Sequence, residues 1–145
     1  MAENDEHKEN SQAVQAHLGI TQSIIQRMAS NSASCKAWCI TLVSAILVIV
    51  ADKGRSQYTL IALIPTVLFL VLDAYYLALE RMFRQSYNVF IEKLLSGKVV
   101  ASDLYAVSPC GNLFKTFLAS LLSFSIWPFY LTLLVMIWIA KSFVI

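Results

Sequence analysis

The sequence predicts an all-α membrane protein: an amphipathic N-terminal helix, a transmembrane hairpin, a cytosolic helical connector and a third, kinked transmembrane helix. Three observations carry this. Hydrophobic residues fill 58% of the 145 positions and charged residues 14%, against about half and a quarter in soluble globular domains. Three apolar runs, roughly Ala33 to Ala51, Thr59 to Leu79 and Thr116 to Ala140, are near the length that crosses a bilayer. The polar links between them are unequal: "ADKGRSQ" after the first run, and a long basic segment after the second. The chain divides accordingly into 1–30 (acidic tail and amphipathic helix), 31–82 (hairpin), 83–112 (cytosolic helix and connector) and 113–145 (third span).

The opening "MAENDEHKEN" is acidic and lacks the basic-then-apolar order of a signal peptide, so no cleaved leader is predicted. In residues 11–30, Val14, Leu18, Ile25 and Met28 recur at helical spacing, with Ala13, Ile20 and Ile24 beside them and a polar face opposite. Such a helix packs on its own oligomer or connector, or lies on the lipid surface. The first span has one charge, Lys36, at its start, and the link after it suits a tight hairpin. The second span has 21 residues, which at about 1.5 Å each cover one hydrocarbon thickness; Pro65 is expected to kink it mildly.

From Glu80 to Leu95 the stripe Phe83, Tyr87, Phe90, Ile91 and Leu94 continues the helix into water, with Gly97 as its cap. "KVVASDLYAVSPCGN" reads as a connector with a turn at Pro109 to Asn112. The third span is 25 residues without a charge, between Lys115 and Lys141. Pro128 at its middle predicts a kink or break there.

Arg27, Lys36, Arg81, Arg84, Lys93, Lys98 and Lys115 flank the spans on one side, and Lys53, Arg55 and Lys141 on the other. Seven against three places the N-terminus and the connector in the cytoplasm of a multi-pass inner-membrane protein. Cys35, Cys39 and Cys110 then meet a reducing compartment; an odd number, two of them one turn apart, reads as reduced apolar residues rather than disulfides or a metal site.

Asp73 interrupts the second span six residues before its end, where an unpaired carboxylate costs up to about 3 kcal/mol. A hairpin folded about Arg55 brings positions summing to about 110 to one depth, which sets Asp73 level with Lys36. Either the two clamp the hairpin, or Asp73 lines an aqueous vestibule. The same arithmetic sets Glu80 and Arg84 level with Ser30 and Gln26, a second layer with Arg27 close by, although Glu80 and Arg84 at i,i+4 can also pair with each other. Thr116, Ser120 and Ser123 form a small hydroxyl stripe, read as a helix-packing face or as pore lining. Three spans enclose no channel alone, so a conduction path requires several copies about an axis, a tetramer among the choices.

No Ser-His-Asp order, metal-ligand spacing or glycine-rich phosphate cradle occurs, so neither an enzyme nor a cofactor is expected. His7 and His17, in the polar N-terminal segment, read as solvated. Arg27, Asn31, Arg81, Lys93 and Lys98 are the candidates for meeting a phosphate-bearing ligand at the cytosolic face; ordinary positive-inside topology accounts for the same basic residues.

The strings "IIQRMASNSASCKAWCITLVSA", "LDAYYLALERMFRQSYNVF", "DLYAVSP" and "PFYLTLL" resemble a family of small three-span bacterial membrane proteins. Arg27, Asn31, Ser32, Lys36, Trp38, Thr41, Asp73, Tyr76, Glu80, Arg81, Arg84, Ser108 and Pro109 carry the likeness. The architecture is also similar to the SLATT-type membrane effectors, in particular the membrane component of the Hailong antiphage system. That resemblance implies a channel-like homo-oligomer, partnered by a nucleotidyltransferase or its oligonucleotide product, which depolarises an infected cell. The competing expectation is a membrane anchor that recruits a soluble partner through the N-terminal helix and connector.

Overall fold

The computed structural model describes residues 11–54 and 56–143. The acidic tail (1–10), with His7, and Arg55, the expected pivot of the hairpin, lie outside the described residues. Those described form helices and loops, with no strand among them. In order they are α1 (Gln12–Lys53), a 3₁₀ helix (Ser56–Ala62), α2 (Leu63–Leu95), α3 (Ala101–Tyr105), α4 (Leu113–Leu121) and α5 (Trp127–Phe143). Gln12–Lys53 and Gln57–Leu95 are long and apolar enough to cross a membrane, and Trp127–Phe143 is a shorter apolar helix.

The amphipathic segment and the first apolar run are one helix, not two. Between Ser11, whose hydroxyl accepts the Val14 N–H, and Gly54 the chain has no proline and one glycine, so nothing stops the helix for 42 residues, about 63 Å. Val14, His17, Thr21, Met28, Ser32, Cys35, Cys39 and Val43 recur at steps of three, four or seven, a single buried stripe. Gly54 ends the helix at φ 62°, its N–H bonded to the Val50 and Ala51 carbonyls.

α2 packs antiparallel along that stripe. Ala74 and Ala78, both fully buried, let the two backbones approach closely. Pro65 does not sit mid-helix as expected: it falls in the first turn of α2, just after the 3₁₀ helix, where its missing N–H costs little. At the far end Gly97, at φ 66°, caps α2, with the Lys98 N–H bonded to the Lys93 carbonyl. The connector carries a short helix, α3, and, where a turn was expected, a bend at Gly111.

The third apolar run is broken, and not at its proline. α4 stops at Leu121, and residues 122–126 turn through tight bonds, Ser123 N–H to Ser120 O and Ile126 N–H to Ser123 O. Ser125 N–H is bonded to the Ser123 hydroxyl, the local competition with helical bonding that serines offer. Pro128 is then the second residue of α5, a position that needs no donor.

Ile126, just before α5, and Tyr130, Leu133 and Ile137 of α5 share one core with Cys39, Val43, Ala62 and Ala74. A second, smaller core joins Val14, Phe90 and Val99 at the connector end. The outer faces are apolar as well: Trp38 is 62% exposed, Val48 67% and Ile64 68%.

Candidate functional site

Asp73 is fully buried where the α1 stripe meets α2. The Ser32 hydroxyl donates to its Oδ1, and Lys36 Nζ lies 2.6 Å from its Oδ2. Ser32 and Lys36 are one turn apart on α1, and Nζ also reaches Ser32 Oγ at 3.4 Å, so three groups close a compact network. The two charges are unequally sheltered: 22% of the Lys36 side chain is open, and none of Asp73. Tyr130 of α5 covers the network, 2% exposed. Its hydroxyl lies near Asp73 without meeting hydrogen-bond geometry with any described residue. Cys35 and Cys39, buried free thiols, line the same wall.

The Glu80 and Arg84 layer does not cross the hairpin. Glu80 Oε1 accepts Arg84 Nε at 2.8 Å and lies 2.7 Å from its Nη2, a pair within α2. Arg84 is 62% open, a geometry worth little to stability. In the same turn of α2, half-buried Arg81 donates to Ser120 Oγ (3.4 Å) and Ser123 Oγ (2.8 Å). Two of the three stripe hydroxyls thus hold a guanidinium at the α4–α5 joint. Thr116 instead donates to the Asn112 carbonyl, one turn back in its own helix.

The candidate phosphate-binding residues do not converge within one protomer. Lys93 pairs with Asp103 at 2.8 Å, Arg81 is taken by the serines, Asn31 is half-buried, and Arg27 and Lys98 are exposed. Arg27 and Lys93 border different cavities. The cavity beside Lys93 is a cleft of about 350 Å³ between α1, α2 and residues 106–111.

His17 is one wall of that cleft and is not solvated. It is 7% exposed, stacks on Phe90 at 4.2 Å, and its Nδ1 lies 3.2 Å from the Leu104 carbonyl oxygen. Its place, three residues after Val14 and four before Thr21, was the available signal: it continues the buried stripe. Asp103, which ties α3 to α2, is held below the usual carboxylate range by the Lys93 ammonium first and the Val100 N–H second.

No family model, curated protein or solved structure matches this chain.

Proposed function

We propose that this chain spans a bacterial inner membrane three times, with its N-terminus and connector in the cytoplasm, and conducts ions as a homo-oligomer. The observation that carries this reading is the partly open Lys36 side chain, paired to a fully buried Asp73 within two long apolar helices. A cation at that depth is expensive against lipid and inexpensive against water or a neighbouring copy's polar face. A ring of copies sets one such ion pair per subunit around an axis, the form of a selectivity element. The exposed apolar flanks of α1 and α2 supply both lipid contact and subunit packing. The resemblance to antiphage effectors supplies the setting, opening by a cytosolic nucleotide or oligonucleotide signal and depolarisation of the cell.

The test is ion flux through liposomes holding the purified chain, with and without candidate oligonucleotides, alongside Asp73→Asn. Conduction that Asp73→Asn changes in selectivity supports the proposal; sealed vesicles under every condition defeat it.

A second reading, an anchor that recruits a soluble partner, is favoured by one observation: Leu95, Val100 and Tyr105, at the end of the hairpin away from the apolar spans, are 71%, 54% and 90% exposed. Large apolar side chains left open in water mark contact surfaces. Recruitment lost on truncating the N-terminal 30 residues, in a membrane without leak, would select it.

A further inference from the structure

Two features of the Asp73 network go beyond what an ion pair needs. Tyr130 is 2% exposed, and its hydroxyl lies beside Asp73 without meeting hydrogen-bond geometry with any described residue. A buried hydroxyl in that condition is costly, and calls for a partner. The second feature is Lys36, whose side chain is 22% open although the carboxylate it pairs with is fully enclosed. Its flexible stem leads outward, so the ammonium can leave Asp73 without unpacking the core.

The ammonium marks where a positive charge rests. Lys36 Nζ is 2.6 Å from Asp73 Oδ2 and 3.4 Å from Ser32 Oγ, and Tyr130 covers the same carboxylate from α5. Carboxylate, serine and phenol oxygens are hard donors of the kind that replace water around hard cations. Charge decides between the ion classes. Among the described residues the wall adds no second carboxylate: Cys35 and Cys39 are free thiols, and no cluster of three acidic, histidine or cysteine ligands occurs. Glu80, the next acid along α2, is about 10 Å further on and bonded to Arg84. One buried negative charge balances one positive charge, whereas a divalent ion would leave a net charge in the core.

We infer that Asp73, Ser32 and Tyr130 form a monovalent-cation site, which an alkali ion enters as the Lys36 ammonium swings out. The site rests on the conduction reading above for its role, and it adds the class of ion and the residue that competes with it. With Lys36 in place, Asp73 is neutralised and the Tyr130 hydroxyl has no described partner. With the ion in place, the carboxylate is again neutralised, the phenol oxygen becomes a ligand, and the freed ammonium reaches the surface. One charge replaces another, so the core stays neutral in both states. Lys36 is a tethered competitor that holds the site closed at low ion concentration.

The test uses the full chain in detergent, in sodium, potassium or choline chloride at equal ionic strength. In the parent, Lys36 should be acetylated faster in an alkali chloride than in choline chloride, relative to Lys53 and Lys141, as read by mass spectrometry. Lys36→Met removes the competitor. Alkali chloride should raise its melting temperature above that in choline chloride, at a half-effect concentration at least about tenfold below that of the parent's labelling response. Adding Tyr130→Phe should weaken the cation effect severalfold, and adding Asp73→Asn should abolish it. Identical labelling and melting in all three salts overturn the inference. So does a Tyr130→Phe chain whose loss of stability is the same in alkali and in choline, since the hydroxyl then serves a bound water. If Lys36→Met does not fold, labelling of Lys36 in the parent and in Tyr130→Phe decides, and a cation response that Tyr130→Phe leaves unchanged overturns the site. Sealed liposomes with the cation effects intact would support the site and defeat conduction; ion flux without any cation effect would defeat the site alone.

Discussion

Lys36 and Asp73 join α1 to α2 through an ion pair of 2.6 Å whose two ends are unequally exposed. Removing Lys36 leaves a carboxylate with no route to water, whereas removing Asp73 leaves an ammonium on a flexible stem that can reach outward. Lys36→Met is therefore expected to cost about 3 kcal/mol, the usual penalty for orphaning a buried charge, and Asp73→Asn about 1 kcal/mol by the same reasoning. Lys36→Met with Asp73→Leu should return to within about 1 kcal/mol of the parent, since apolar replacement of a whole buried pair is often neutral. Thermal unfolding in detergent reads all three. Equal losses for the two single variants would mean that Asp73 has solvent the geometry does not give it.

The Arg81 fork makes a second prediction. Arg81→Ala and the pair Ser120→Ala with Ser123→Ala each remove the same contacts, so their effects should overlap rather than add, with a coupling of about 1 kcal/mol. Arg81→Lys should rescue less than half of the loss, because an ammonium cannot span two hydroxyls in a fixed fork. A double-mutant cycle in the same micelles checks it, and additive losses would show that the fork holds nothing.

How much of this was legible in the sequence follows from the range of each signal. Helical periodicity is local, so the helix over residues 11–30 and the extension of α2 past Glu80 could be read directly, although of the residues read as the apolar stripe of α1 only Val14 and Met28 are buried and Ile20 is exposed. The level of Lys36 with Asp73 followed from hairpin arithmetic, because two antiparallel rods of equal rise leave one degree of freedom. The Glu80–Arg84 layer was ambiguous for the same reason: one turn within a helix competes with a contact across it, and the shorter-range contact is the one formed. Pro128 misled because a proline is equally at home in a first turn and at a break; Ser123 and Ser125 carry the break. His17 was misread from its polar neighbours rather than from its phase on the helix. Arg81 on Ser120 and Ser123 required knowing that α4 packs on α2, and no local pattern encodes that.

The connector should loosen in acid. Asp103 holds Lys93 at 2.8 Å and the Val100 N–H at 3.2 Å, and the Lys93 contact is the larger cause of its depressed titration. The unfolded connector takes up a proton on Asp103 at the ordinary carboxylate range, and the folded one only below it. The stabilisation is thus complete above that range and is lost as pH falls through the lower, folded value. Amide exchange of residues 99–105, followed downward from neutral pH, should accelerate beyond its intrinsic pH dependence in the parent chain. In Asp103→Asn the segment should exchange fast throughout, without that transition. A transition that survives Asp103→Asn would assign the acid response to another group.

Two glycines on the same hairpin should respond to alanine with opposite signs. Gly19 lies in the interior of α1, and a methyl group there meets nothing within 4 Å, so Gly19→Ala relieves the entropy that glycine adds to the unfolded chain and should stabilise by about 0.5–1 kcal/mol. Gly97 also has open space around its Cβ position, but it sits at φ 66° after the last turn of α2. Its problem is therefore torsional, not steric crowding by neighbours. An L side chain in that region costs about 1–2 kcal/mol, and Gly97→Ala should lose roughly that much while weakening the Lys98 N–H bond to the Lys93 carbonyl. That carbonyl belongs to the residue whose ammonium holds Asp103, so Gly97→Ala should also raise amide exchange in α3. Paired melting curves decide it: both variants stabilising would place residue 97 outside the left-handed region, and both destabilising would place a neighbour against Gly19, the signature of a second copy packed on that face of α1.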